Sequence, residues 1–235
     1  TAGVTAATSD TAPPFLRAMV CGSAAILDWQ EAQHDRARQS TAEGIQIAIE
    51  YGIEAATMIV QSQQAYTALS DGDFASADIA VGALERTVLP NSSVNVALVK
   101  SLRAAVLHFQ SRHADAVIVM QGALDLVKAA QALFPVATVS IQLGQLLMLG
   151  GQHDRARELL DEALAYAVRC SSDVLEFQAR IAQAWSALES GAEQSGFDQL
   201  RGALAIGARH NYRNCHPLWI PNVMARRFVV AVEPD

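Results

Sequence analysis

Four copies of an Ala-Leu dipeptide stand at a constant interval of 40 residues, at Ala83-Leu84, Ala123-Leu124, Ala163-Leu164 and Ala203-Leu204. The pentapeptide His34-Asp35-Arg36-Ala37-Arg38 recurs letter for letter as His153-Asp154-Arg155-Ala156-Arg157, 119 residues later, which is three periods less one residue. Self-similarity at a period of a few tens of residues specifies a solenoid, because one unit cannot cover its own apolar face and does so by stacking on the next. Function in such a chain lies on a surface assembled from many units, not in a local catalytic motif.

The unit reads as a pair of helices. Apolar residues recur at three- and four-residue spacing throughout, and no sustained alternation of β-branched and polar residues signals a strand. Between about Pro135 and Cys170 the first helix carries Val139, Leu143, Leu146 and Leu147 on one side, and the second carries Ala156, Leu159, Leu160, Ala163, Leu164 and Ala167. Gly150-Gly151 between them tolerates the positive φ at which a helix stops. Comparable turns fall at Asp71-Gly72, near Ser111 and at Ser190-Gly191. The predicted pairs are 14-29 with 33-51, 53-70 with 73-88, 93-110 with 113-130, 134-149 with 152-169, and 172-189 with 193-210, followed by a helix over 217-231. This is an all-α class, an α-α superhelix of about five pairs plus a C-terminal helix. Residues 1-13 form a flexible lead-in, 14-231 a single domain and 232-235 a tail, and the chain reads as excised from a larger protein. Each first helix holds a small residue at one register position, Ala25, Ala65, Ala104, Gly144 and Ala184, which lets helix axes approach to the ~8–10 Å of close packing.

The residues Leu143-Gly144, Leu147, Gly151, His153, Ala156, Leu160, Ala163 and Leu164 resemble the tetratricopeptide pattern. Gly72-Asp73-Phe74 with Ala77, and His113 with Ala116, Met120 and Ala123, follow it more loosely. The period of 39–40 is longer than the standard unit, and the proline that closes that unit is absent. Longer repeats of this kind are similar to the helical-repeat region of large bacterial signal-transduction ATPases, the class containing the maltose-regulon activator and other LuxR-type transcription regulators. Ala203 to His210, Trp219-Ile220-Pro221 and Ala225-Arg226 resemble the closing repeat of some such regulators. The resemblance implies a module for signal transduction, flanked in the intact protein by a nucleotide-binding or catalytic part and a DNA-binding part.

Chemical signatures are few. The sequence has no phosphate-binding GxxxxGK[ST] loop, no GxGxxG after a strand, no HExxH and no GxSxG, so the expectation is a non-enzyme without cofactor or metal. Asp71-Gly72-Asp73 lacks the spacing and closing glutamate of a calcium loop and reads as a turn. His34, His113 and His153 occupy equivalent positions and read as packing residues at the start of second helices. Cys21, Cys170 and Cys215 have neither disulfide nor zinc spacing and suit a reducing cytoplasm. A net charge of −7 argues against direct nucleic-acid contact, and no apolar run reaches the ~20 residues of a membrane span.

In tetratricopeptide-like arrays the residue after the small position and those three and four further on face the concave groove. This resemblance selects Trp29, Tyr66, His108, Phe109, Gln145, Met148 and Trp185 as groove residues. Aromatic rings with a few polar groups suit a protein or peptide segment or a small effector. Two alternatives stay open: the rings pack between layers of the superhelix, or the array is a scaffold that self-associates as a homodimer and fills its groove with another copy or its own tail.

Overall fold

The structure, a computed structural model, describes residues 12–215. Its described residues form ten α-helices and no strand: α1 (Pro14–Gln30), α2 (His34–Glu50), α3 (Glu54–Ser70), α4 (Phe74–Thr87), α5 (Ser93–Phe109), α6 (His113–Ala129), α7 (Leu133–Leu149), α8 (His153–Arg169), α9 (Asp173–Glu189) and α10 (Glu193–His210). All ten agree with the predicted spans to within a residue at each end. The helix expected over 217-231, the Trp219-Ile220-Pro221 segment, the tail and nearly all of the lead-in lie outside the described residues.

The period has a mechanical origin. Most helices are 17 residues long, and a three-residue turn follows each. The middle turn residue is left-handed at Ala32, Gly52, Gly72, Ser111, Gln131, Gly151, Ser171 and Gly191. The third turn residue then donates its N–H to the carbonyl five residues back, as in Gln33→Asp28 at 2.7 Å and Gln152→Leu147 at 2.8 Å. This is the Schellman closure, which satisfies carbonyls left open at a helix end. That residue also begins the next helix, so the chain wastes nothing between helices.

One connection departs from the rule. Helix α4 has 14 residues and leads through an extended Val88 and Pro90 to α5 at Ser93, which makes the α4 unit one residue short. This single deletion is why the repeated pentapeptide is displaced by 119 residues. It also corrects the opening pattern. Ala123, Ala163 and Ala203 occupy the eleventh position of their helices and are fully buried, but in α4 that position is Leu84, also fully buried, with Ala83 half-buried. The first Ala-Leu pair therefore matches the others in letters and misses them by one residue in structure.

The two members of each pair pack tightly, and each second helix also packs on the first helix of the next pair. Successive first helices touch directly, α1 on α3, α3 on α5, α5 on α7 and α7 on α9, while successive second helices show no comparable contact. The first helices consequently form the inner, more crowded layer and the second helices the outer one. The register of small residues holds throughout: Ala25, Ala65, Ala104 and Ala184 are 0% exposed. At Gly144 a Cβ would lie 2.8 Å from Leu160 Cδ2, so absence of a side chain there is what seats α8 on α7. One continuous core runs from α3 to Cys215, and a smaller cluster around Cys21, Ile47 and Ala48 joins α1, α2 and Ala56.

Candidate functional site

The inner layer carries an unusual load of polar side chains for so buried a surface. Ser62, Gln63 and Thr67 on α3, Ser101 on α5, Ser140, Gln142 and Gln145 on α7, and Gln178 and Ser186 on α9 are all 7% exposed or less. Buried polar atoms are costly unless they find hydrogen-bond partners, so their pairing reveals how the layer is held.

The Tyr66 hydroxyl on α3 is hydrogen-bonded with Ser101 on α5 and with Gln142 on α7, which ties three successive inner helices through one side chain. Burial pushes its pKa up to about 12 despite these bonds. A contact from α3 to α7 across α5 requires the inner layer to curve strongly at this point. Beside it, Trp29 on α1 donates its indole N–H to Ser70 Oγ at 2.8 Å and lies 5.9 Å from the Tyr66 ring. Phe109 stacks on Phe74 of α4 with centroids 4.5 Å apart. His108 contacts Phe109 edge-on and approaches His113 with Nδ1 atoms 3.2 Å apart. Burial, and then the neighbouring His113, lower the pKa of His108.

Of the predicted groove residues, Trp29 and Tyr66 are thus brought together, as are His108 and Phe109. Gln145 and Met148 lie on α7 and Trp185 on α9, and among the described residues no ring contact joins Trp185 to the others. Their exposures are low: Trp29 6%, Gln145 1%, Met148 4% and Trp185 3%. These rings therefore pack within the inner layer. Two of the residues nevertheless keep a polar atom without a partner among the described residues, the acceptor Gln145 Oε1 and the donor Trp185 Nε1, and Ser62 Oγ and Ser140 Oγ do the same.

The chain itself closes part of this face. After α10, Tyr212 packs 5.7 Å from Phe177 of α9, and the N–H groups of Arg213 and Asn214 donate to the carbonyl of Gln30 at the end of α1, at 2.8 and 3.0 Å. Residues separated by nearly the whole array are thereby linked, and Cys215 enters the core with its pKa pushed up to about 12 by burial. Sequence reasoning missed Ser62, Ser101, Ser140 and Gln142. Their signal was present as serines and glutamines within four residues before the small register position, where an aliphatic residue is the default.

The histidines behave unequally. His34 Nδ1 lies 2.6 Å from Asp71 Oδ1, and His113 packs against Gly150, where a Cβ would come within 2.8 Å of its Nε2. His153 is exposed, so of the three only His113 is seated against a neighbouring helix end, while His34 makes a polar contact instead. Cys21 and Cys215 are buried and Cys170 is half-buried. Among the described residues no group of His, Cys, Asp and Glu is arranged to hold a metal, and no helix is long and apolar enough to cross a membrane.

No protein-family model and no curated protein matches this chain. Solved structures do. A signal transduction ATPase with numerous domains from Pyrococcus horikoshii, which has a tetratricopeptide repeat sensor, superposes with a TM-score of 0.59 at 13% identity, covering 91% of this chain and 31% of that one. BtubC from P. vanneervenii superposes with a TM-score of 0.56 at 18% identity over 86% of this chain and 80% of that chain. The chain spans about a third of the length of the first. At these identities the likeness establishes the fold: a tetratricopeptide-like helical repeat.

Proposed function

We propose that the chain is a non-enzymatic regulatory module, part of a larger bacterial signalling or transcription regulator of the LuxR type, which binds a protein segment or small effector along its inner helices. The carrying observation is the pair of unpartnered polar atoms, Gln145 Oε1 and Trp185 Nε1, on the predicted groove residues. Both atoms are buried and lack a partner among the described residues; an extended peptide that parts the inner layer would supply one partner for each from its backbone. The neighbouring repeat sensor of a signal-transduction ATPase supports the regulatory reading. Repeat arrays serve such a role because a small rotation at each interface accumulates along the solenoid.

Selection of extended peptides from a displayed random library against the chain tests this. Binders are expected to shift the Trp185 indole N–H resonance and to lose affinity with Trp185→Phe or Gln145→Leu; binders indifferent to both changes overturn the groove. Self-association is favoured by a separate observation. Ile79 and Ile118 are 74% and 70% exposed at the sixth position of two successive outer helices, α4 and α6. Sedimentation equilibrium on the native chain and on Ile79→Glu with Ile118→Glu decides it: a dimer that the double change dissolves supports this reading, and a monomer in both removes it.

A further inference from the structure

The repeated His-Asp-Arg-Ala-Arg segment builds two clefts of one design. The first, about 290 Å³, lies between outer helices α2 and α4 with α3 as its floor; the second, about 520 Å³, lies between α8 and α10 over α9. Nine of the ten residues lining the first have counterparts 119 residues further on lining the second. Arg38 corresponds to Arg157, Gln64 to Gln183, Thr67 to Ser186, Asp71 to Ser190 and Asp73 to Ala192.

The first cleft is latched from within. Asp71 takes Arg38 with one carboxylate oxygen and His34 with the other, at 2.6 Å, while Asp35 also pairs with Arg38. Asp73 caps α4 by accepting the N–H of Ser76 at 3.0 Å. In the second cleft both acids are gone. Ser190 turns its hydroxyl to the Ala187 carbonyl at 2.9 Å, and Ala192 gives α10 no side-chain cap. Among the described residues Arg157 is left with only the local Asp154, at 3.5 Å, and its side chain is half exposed. On the cleft floor Gln183 donates to Asp161 at 2.7 Å, but its Oε1 is buried and has no partner among the described residues.

We propose that the cleft between α8 and α10 is a docking site for an acidic side chain of a partner polypeptide, whose carboxylate takes on Arg157 the place that Asp71 takes on Arg38. The molecule supplies the template for this ligand in its own first cleft. A guanidinium prefers a carboxylate in charge-assisted, two-point contact. Asp161 on the same wall repels negative charge in proportion to its amount, which favours a single carboxylate over a phosphate dianion or an acidic run. The site opens between two outer helices and has the inner helix α9 as its floor.

The test uses N-acetyl-L-aspartate N-methylamide as probe, with the asparagine analogue and inorganic phosphate as controls, followed by NMR of the arginine Nε–H groups of the full chain. The aspartate probe is expected to shift Arg157 saturably, leave Arg38 unmoved, and lose its effect in Arg157→Gln. Ser190→Asp, which restores the internal acid, is expected to weaken the probe about tenfold, and Asp71→Ser to make Arg38 respond as Arg157 does. These exposed positions leave the fold intact, which the amide spectrum verifies. No saturable shift at Arg157, an equal shift at Arg38 in the native chain, an undiminished response in Ser190→Asp, or phosphate acting as well as aspartate each overturns the proposal.

Discussion

Replacing Gly144 by alanine tests the packing register more sharply than any other single change. The added methyl would sit 2.8 Å from Leu160 Cδ2 and 2.9 Å from Leu160 Cγ. Leu160 is 0% exposed, so the added methyl meets a packed side chain that can yield only toward the cleft it lines. Overpacking of this kind costs ~1–3 kcal/mol, whereas exchanging glycine for alanine inside a helix returns about 1 kcal/mol. The net expectation is a loss of about 0–2 kcal/mol, equivalent to a fall in Tm of up to roughly 8 °C for a chain of this size. Urea unfolding followed by circular dichroism at 222 nm reads the first and calorimetry the second. Gly82→Ala is the internal control, because its methyl would meet nothing nearer than Arg86 Nη1 at 3.6 Å and so stabilises by about 0.5–1 kcal/mol. Leu160→Ala alone should cost ~2–5 kcal/mol. Combined with Gly144→Ala it should cost less than the sum by ~1 kcal/mol or more, since the new methyl occupies part of the space released. A Gly144→Ala protein as stable as Gly82→Ala would refute the claim that close approach at this position seats α8 on α7.

Gly151→Ala isolates backbone strain: φ is +74 with nothing within 4 Å of the new methyl, so a loss of about 1 kcal/mol in urea unfolding comes from the left-handed conformation alone. Trp29→Phe removes the donor to Ser70 and should cost about 1 kcal/mol in the same assay. Alkali should destabilise the fold, because Tyr66 and Cys215 are raised by burial from 10.0 and 9.0 to about 12. Both keep their protons when folded and lose them on unfolding, so their contribution is complete below pH 9 and is lost as pH rises toward 12. The urea midpoint is expected to fall over this range, and Tyr66→Phe to flatten the part above pH 10. A thiol reagent should modify Cys170 quickly and Cys215 only as fast as the 211–215 segment lifts from Gln30; equal rates would contradict the buried placement.

Much of this architecture was legible in the letters. Helix boundaries could be read closely because each unit is built from helices and Schellman turns of nearly fixed length, and Gly72, Gly151 and Gly191 mark where the chain turns left-handed. The small-residue register was legible for a similar reason: only Ala or Gly fits where two helix axes nearly touch. The Ala-Leu pattern misled by one residue at Ala83 because identical letters conceal the shortening of α4. The register placed Trp29, Tyr66 and Trp185 on inner helices, yet it did not reveal their surroundings. Tyr66 meets Gln142, 76 residues later and two inner helices away, and no local periodicity encodes a curvature that brings α3 to α7.

The sequence by itself determined the helical repeat, its length and the face each helix turns inward, since these follow from apolar periodicity, turn chemistry and side-chain size acting over a few residues. Tertiary structure alone decided what those faces meet. It buried Trp29 and Trp185 in the inner layer, returned Arg213 and Asn214 to the Gln30 carbonyl, and set one copy of the pentapeptide against Asp71 and the other against Ser190. These outcomes depend on the angle between successive pairs summed along the stack, and a sum of small rotations is a property of the assembled solenoid, not of any one repeat.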